Sequence, residues 1–557
     1  MKRILSYLLP LSLLWTITIA AHAQAGSAKI TAASCNPSDV LTALNSVTTG
    51  TWTVNIPAGT CSWTTGISYT VPAAVTSLTI QGNTAVSCSG TPGQSSYSCS
   101  ATDNTIIQDS YNSLNSLWNI SMAGSPTSCS LFRITGLTFQ GGTNSSPKYN
   151  GIIEINGPCN NFRVDHNDFN LTTYNPVISG FPMRIFGQVQ GVVDHNVQQV
   201  LSSEITSMVD VWGATAGDSI GYGDGPWANP TNFGSSAFLF FENNYMNGGY
   251  LEDCDNGGAF VARYNTIVNG GPISAVIHSH GTYTQNGRGR SCRGYEAYHN
   301  YISGPSPNDD AVFGSAGGPS LVWGNTLATG YNWFAAVGVE RNDGSHTETN
   351  TPTGYGYCGT SVLSNGVGSQ WDGNSGGGGS PSATGYPCLD GLGRGQGQAL
   401  NGQNFPNVLN SVTNGTIAWP HEYLEPIYYF GNSILNGASF IRIGDSSQFN
   451  RDVYYDCGSL NSSCSGGFTG AAGTGSGLLS ARPSTCTAGP GGTYGTSPTG
   501  SFGVAYFATD TNTLSVCTAT NTWTNVYTPY VYPHPLESGS TSTPPPPPSN
   551  LNGTIVQ

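Results

Sequence analysis

One short strand with a fixed ending recurs through this chain, and it limits the possible folds more than any other feature. Phe162-Arg-Val-Asp-His-Asn167 returns as Val192-Val-Asp-His-Asn196, Phe240-Phe-Glu-Asn-Asn244, Val261-Ala-Arg-Tyr-Asn265, Glu296-Ala-Tyr-His-Asn300, Leu321-Val-Trp-Gly-Asn325 and Tyr428-Tyr-Phe-Gly-Asn432. Leu78-Thr-Ile-Gln-Gly-Asn83 and Phe132-Arg-Ile-Thr-Gly136 are earlier members. Each unit alternates apolar and other residues, as a strand with one buried face does. Each closes on Asn or Gly, residues that accept the left-handed bend ending such a strand. The asparagines at 167, 196, 244, 265, 300 and 325 lie 29, 48, 21, 35 and 25 apart. The short gaps suit one turn of a solenoid, and the long ones add loops to the same scaffold. Irregular gaps with one asparagine register favour a solenoid over a β-sandwich.

Two columns follow from that register. Three places before the asparagine stand Val164, Val193, Phe241, Ala262, Ala297, Val322 and Tyr429, which should face the core. Two places before it stand Asp165, Asp194, Glu242, Arg263, Tyr298, Trp323 and Phe430, which should face outward. Acids, one arginine and then aromatics along one face would suit an extended glycan.

Cys35-Asn-Pro-Ser-Asp-Val-Leu-Thr-Ala-Leu-Asn45 reads as a short amphipathic helix with Pro37 at its start, followed by Ile56-Pro-Ala-Gly-Thr60. Placed before an otherwise all-β chain, the helix reads as an end cap over a sheet edge. With the repeated strand-Asn units, over roughly Ala32 to Phe449, these features resemble the pectate-lyase-like right-handed parallel β-helix superfamily. The resemblance implies an all-β solenoid with an N-terminal helical cap. It leaves the reaction open, because lyases, hydrolases, esterases and binding proteins share the scaffold.

The ends mark the other segments. Met1-Lys-Arg, an apolar run and Ala21-His-Ala23 form a secretory signal over 1–23. The solenoid is expected over 24–465. A Gly/Ser/Thr-rich segment and a small β unit fill 466–536, with a hairpin turn at Asp510-Thr-Asn-Thr513 and an aromatic strap from Tyr527 to Leu536 that is expected to pack back on the scaffold, with a sugar platform as the alternative. A proline-rich tail, expected to be disordered, occupies 537–557. No later run is long and apolar enough to span a membrane.

Charged residues make up only 8% of the chain, and the net charge is −14. That balance argues against a nucleic-acid or anionic-membrane partner and leaves a polysaccharide as the expected one. The fourteen cysteines all follow the signal. In an exported chain, outside the cell or in the periplasm, an even count reads as disulfides. Neighbouring couples would be Cys35/Cys61, Cys88/Cys99, Cys129/Cys159, Cys254/Cys292, Cys358/Cys388, Cys457/Cys464 and Cys486/Cys517. No CxxC spacing is present, which argues against a zinc site.

Chemistry-bearing residues concentrate between Leu239 and Gly304. A bond between Cys254 and Cys292 would bring Asp253 and Asp255 toward Arg288, Arg290 and Arg293, with His278 and His280 between. β-Elimination on a uronate needs a cation for the carboxylate, a base for the C5 proton and an acid for the leaving oxygen. Candidate catalytic residues are His278, His280, Arg263, Arg293 and Glu242. Candidate substrate contacts are Arg288, Arg290, Tyr298, Trp323, Asp194 and Trp227. Asp253 and Asp255 are candidate calcium ligands. The polygalacturonase branch of the superfamily has paired aspartates, a His-Gly step and an arginine strand, echoed here by Asp253-Cys-Asp255, His280-Gly281 and Arg293. Its Asn-Thr-Asp and Arg-Ile-Lys motifs are missing. Lyase branches often use lysine, yet only Lys29 and Lys148 follow the signal. The expected function is therefore an exported polysaccharide lyase on an acidic glycan, with a glycoside hydrolase or a non-catalytic glycan-binding adhesin as alternatives.

Overall fold

The computed structural model describes residues 28–122, 131–144, 146, 151–174, 182–200, 207–213, 226–227, 229–271, 275–280, 291–304, 311–338, 392–397, 422–443, 448–458, 461, 464–490 and 500–537. The chain is all-β in character, built on three long parallel sheets of 12, 10 and 10 strands. Successive strands visit the sheets in turn. Leu239–Glu242 lies in the first, Tyr245–Asn247 in the second and Tyr250–Asp255 in the third, and Ala259–Arg263 then returns to the first beside Leu239–Glu242. Every pairing within these three sheets is parallel, as crossovers rather than hairpins dictate.

The inward column is as expected. Val164, Val193, Phe241, Ala262, Ala297, Val322 and Tyr429 are all fully buried in one continuous core between the sheets. Strand pairing puts the second column in line as well, from Asp165 through Asp194, Glu242, Arg263, Tyr298 and Trp323 to Phe430.

The asparagines do more than end strands. In each unit the left-handed residue is the one before the asparagine: His166, His195, Asn243, Tyr264 and His299 have φ of 52° to 60°. The asparagines themselves are buried and form a ladder. Asn265 Oδ1 accepts from the backbone N–H and the amide of Asn244, and the Asn265 amide donates to Asn300 Oδ1 and to Phe241 O. The same pattern runs from Asn167 to Asn432. A positive φ is uncommon for a bulky residue such as Tyr264, and the neighbouring hydrogen bonds hold it there.

A helix forms at Pro37–Asn45, with proline in its first turn and with Val40, Ala43 and Leu44 buried in the main core. No helix among the described residues is long and apolar enough to cross a membrane. Five of the cysteine couples are bonded as expected: Cys35–Cys61, Cys88–Cys99, Cys254–Cys292, Cys457–Cys464 and Cys486–Cys517. Cys159 is also disulfide-bonded. Cys129, Cys358 and Cys388 lie outside the described residues, as do the expected signal and the chain beyond residue 537.

Near the C-terminus, Thr474–Gly477, Ala505–Ala508, Thr513–Ala519 and Thr522–Tyr527 form a four-stranded sheet, with a hairpin across the expected turn. The unit is seated on the first sheet, and a second apolar cluster joins them.

Candidate functional site

The outward column of the first sheet is covered. Asp194, Glu242 and Arg263 are wholly buried, and Tyr298 and Trp323 nearly so. Trp323 packs between Tyr298 and Phe507, at ring distances of 4.6 and 4.9 Å. Arg263 pairs with Glu242, donates to the Tyr298 hydroxyl oxygen at 2.9 Å, and donates to the carbonyls of Tyr530 and Val531 at 2.8 and 2.9 Å. Glu242 accepts from the His534 backbone N–H at 2.6 Å. Asp194 is bound in a fork by Arg163, which also donates to Leu536 O. The open glycan face expected here is thus a docking face for the chain's own strap. Glu242, Arg263 and Trp323 hydrogen-bond to it directly, while Tyr298 and Asp194 are linked to it through Arg263 and Arg163. The physical reason is the aromatic run, whose exposure would be costly; the C-terminal sheet and the strap together cover it.

Arg293 and Trp227 are likewise internal. Arg293 reaches Glu425 at 3.3 Å and Asn229 O at 3.0 Å, and its guanidinium lies 5.1 Å from the Trp227 ring centre. Trp227 donates to Ser291 O. The two pin a connection on the first-sheet side, so Arg293 is placed with Glu425 rather than with Asp253 and Asp255. Arg288 and Arg290 lie outside the described residues.

The remaining candidates converge on the third sheet. Its strands Ile153–Asn156, Met183–Phe186, Ser207–Trp212, Tyr250–Asp255 and Ile277–Ser279 are consecutive neighbours. Their register aligns Glu154 with Arg184, Arg184 with Asp210 and Asp210 with Asp253, while Glu252 pairs with Ile277, one place before Asp253 and His278. His280 Nδ1 lies 3.0 Å from Asp253 Oδ1 and 3.2 Å from Asp255 Oδ2. His278 Nδ1 lies 3.4 Å from the same Asp253 oxygen, and the two imidazoles meet edge to face at 4.4 Å. Asp210 accepts from Arg184 Nε and from Trp212 Nε1, both at 2.8 Å, and the Arg184 guanidinium stacks 4.7 Å from Trp212.

Local structure fixes this group. Gly314 faces His278, and a Cβ there would meet the ring at 2.6 Å, so glycine makes its room. The Cys254–Cys292 bond, the Asp255–Ser291 bridge and the hydrogen bonds His280 N–H to Cys254 O and Cys292 N–H to His280 O clamp the loop base.

Electrostatics set the carboxylates apart. Burial would raise Asp253, but the His280 and His278 imidazoles outweigh it and hold the carboxyl well below its usual range. Burial pushes Asp210 up to about 7 against the pull of Arg184, with the Asp255 and Asp253 charges adding to the rise. Asp210 Oδ1 and Asp255 Oδ1 are buried with no hydrogen-bond partner among the described residues. The histidine side chains are the most open of the acid–imidazole group, at 16% and 18% exposed, against 6% and 7% for Asp253 and Asp255.

Two other groups could hold a cation by spacing: Asp165, His166 and Asp194, and Asp194, His195 and Glu537. Arg133 and Arg163 already neutralise Asp165 and Asp194.

The first-sheet register includes neither Arg184 nor Asp210. The signal that finds them is a second alternation, in Ile153-Glu-Ile-Asn156, Met183-Arg-Ile-Phe186 and Val209-Asp-Val-Trp212. It lies out of step with the asparagine repeat and carries no fixed ending residue. The same alternation places Asp253, Asp255, His278 and His280 on one outer face.

No family model, curated protein or solved structure matches this chain.

Proposed function

We propose that this chain is an exported right-handed parallel β-helix of the pectate-lyase-like kind, capped by the helix at Pro37–Asn45, that cleaves an acidic polysaccharide on the outer face of its third sheet. The observation that supports this is the convergence of Asp210, Asp253, Asp255, His278 and His280 from three adjacent strands of a rigid scaffold. β-Elimination is the reading carried forward. A base takes the C5 proton, that electron pair becomes the C4–C5 double bond, and the C4–O bond breaks as the leaving oxygen gains a proton. Asp210 and Asp255 are the proton-transfer candidates, each with one carboxylate oxygen not otherwise engaged among the described residues. The more open imidazole side of the group is where the uronate would enter.

Hydrolysis is the second reading, and the three neighbouring carboxylates favour it, since glycoside hydrolysis runs on a pair of them. The purified chain would be incubated with pectate, alginate and neutral glycans while absorbance at about 235 nm and reducing ends are followed. Both signals rising together, and both lost in Asp255→Asn, is the expected result. Reducing ends without absorbance would replace elimination by hydrolysis. Glycan binding without turnover, unchanged in Asp255→Asn and His280→Ala, would leave an adhesin.

A further inference from the structure

We propose that Asp253 Oδ1, His278 Nδ1 and His280 Nδ1 form a binding site for a divalent transition metal of the zinc class, with Asp255 Oδ2 beside it as a fourth donor. The three donor atoms lie within 4.8 Å of one another. The distances on hand are 3.0 and 3.4 Å from the two imidazole nitrogens to one carboxylate oxygen, and 3.2 Å from His280 Nδ1 to Asp255 Oδ2. Donors bound at about 2.0–2.1 Å around a tetrahedral ion stand roughly 3.3 Å apart, so an ion fits with little movement. A purely hydrogen-bonded explanation is strained at one point. His280 Nδ1 carries at most one proton, yet two carboxylate oxygens approach it at similar distances.

The donor set chooses the metal. Calcium takes oxygen ligands, and the two acids alone would suit it. Two imidazole nitrogens in the same shell shift the preference to zinc, iron, nickel or copper. The absence of a CxxC pair removes only cysteine-based zinc sites. The surroundings are also those of a metal centre. Among the described residues Asp255 Oδ1 and Asp210 Oδ1, on neighbouring strands, are buried without a hydrogen-bond partner. The Cys254 backbone N–H donates to Asp253 Oδ1 at 2.9 Å and orients the carboxylate. Asp253 and His278 come from two paired strands, His280 directly follows the second, and a disulfide ties Cys254 on the first to Cys292 beyond the second.

Such an ion would bring positive charge to this face, where Arg263 and Arg293 do not reach. That catalytic part rests on the glycan-cleavage reading; the binding does not.

The test uses the full exported chain with its disulfides formed, stripped with chelator and dialysed. Zinc, cobalt and calcium are added separately, with calorimetry for stoichiometry and visible absorption for cobalt geometry. One zinc per chain and the intense bands of tetrahedral cobalt are expected. Zinc affinity should fall at least tenfold in His278→Ala and in Asp253→Asn, and stay unchanged in His195→Ala. Thermal melts confirm that each variant is folded, and His280→Gln repeats the test with less change of volume. Calcium binding without zinc binding, or zinc binding indifferent to all three ligand variants, would overturn the site. The two readings fail separately. Zinc bound with no glycan cleaved removes the enzyme and keeps the metal. Cleavage persisting in chelator by a chain that binds no zinc does the reverse.

Discussion

At the scale of single residues, the buried charges of the first sheet decide stability rather than chemistry. Arg263 and Glu242 are both wholly buried and paired. Burial would lower the Arg263 pKa, but the Glu242 charge more than offsets it and holds the guanidinium ionised. Removing one partner strands the other in a medium that cannot solvate it. Arg263→Met should therefore cost about 3–5 kcal/mol in urea unfolding, and the double change Arg263→Met/Glu242→Gln should recover much of that. Glu296 behaves in the opposite sense. Burial pushes its pKa from 4.5 up to about 7, against hydrogen bonds from Gly234 N–H and the Tyr527 hydroxyl. The folded chain then holds a proton that the unfolded chain has released. Stability from this group is present below about pH 4.5 and is lost as pH rises to about 7, on the order of 3 kcal/mol across the window. Unfolding of Glu296→Gln and the unchanged protein at pH 4.5 and 8 measures it. The variant should gain relative stability at the higher pH, and equal differences at both would refute the assignment.

At the scale of elements, the asparagine ladder couples each first-sheet strand to its neighbour. Asn265→Ala removes an acceptor for the Asn244 backbone N–H and amide and a donor to Phe241 O. Leaving such groups unpaired in a buried corner should cost about 2–4 kcal/mol, read from denaturant midpoints. The elements that were legible in the sequence are those with a period and a marker. The asparagine repeat located the first-sheet strands, their inward column and, through alternation, the alignment of the outward one. The helix at Pro37 was legible from its proline and apolar spacing. What alternation could not reveal was which outward column stays open. That depends on contacts between residues hundreds of positions apart, such as Arg263 with Tyr530 and Trp323 with Phe507. Asp253, His278 and His280 were legible as chemistry, but their shared face with Asp210 and Arg184 needed the third-sheet register.

At the scale of the whole molecule, the C-terminal unit and strap complete the surface of the first sheet. Phe240, Tyr298, Trp323 and Phe430 belong to one buried cluster with Phe507, Leu514 and Tyr527. A chain ended at residue 500 would present those aromatics to water as one apolar face. It should bind a hydrophobic dye strongly and leave the monomer peak in size-exclusion chromatography. A dye signal equal to that of the full chain would show that the face is not held by this unit.

The sheets also govern where the chain can lengthen. Trp212, Ser279 and Val337 each end a third-sheet strand, and the next first-sheet strands begin only at Leu239, Gly294 and Ile427, the last after Ser320–Trp323 has already paired with the coil before. From Asn167 onward the asparagine corner, between first and second sheets, shows no such latitude: each second-sheet strand starts directly after its asparagine, as Tyr245 follows Asn244 and Thr266 follows Asn265, whereas the earlier corner at Asn83 carries the hairpin Ala85–Thr102 ahead of Thr105–Asp109. One corner is thus locked by amide pairing while another absorbs inserted sequence. For protein engineering, new loops belong after the third-sheet strands, beside the acid–imidazole group, where added sequence leaves the paired strands intact.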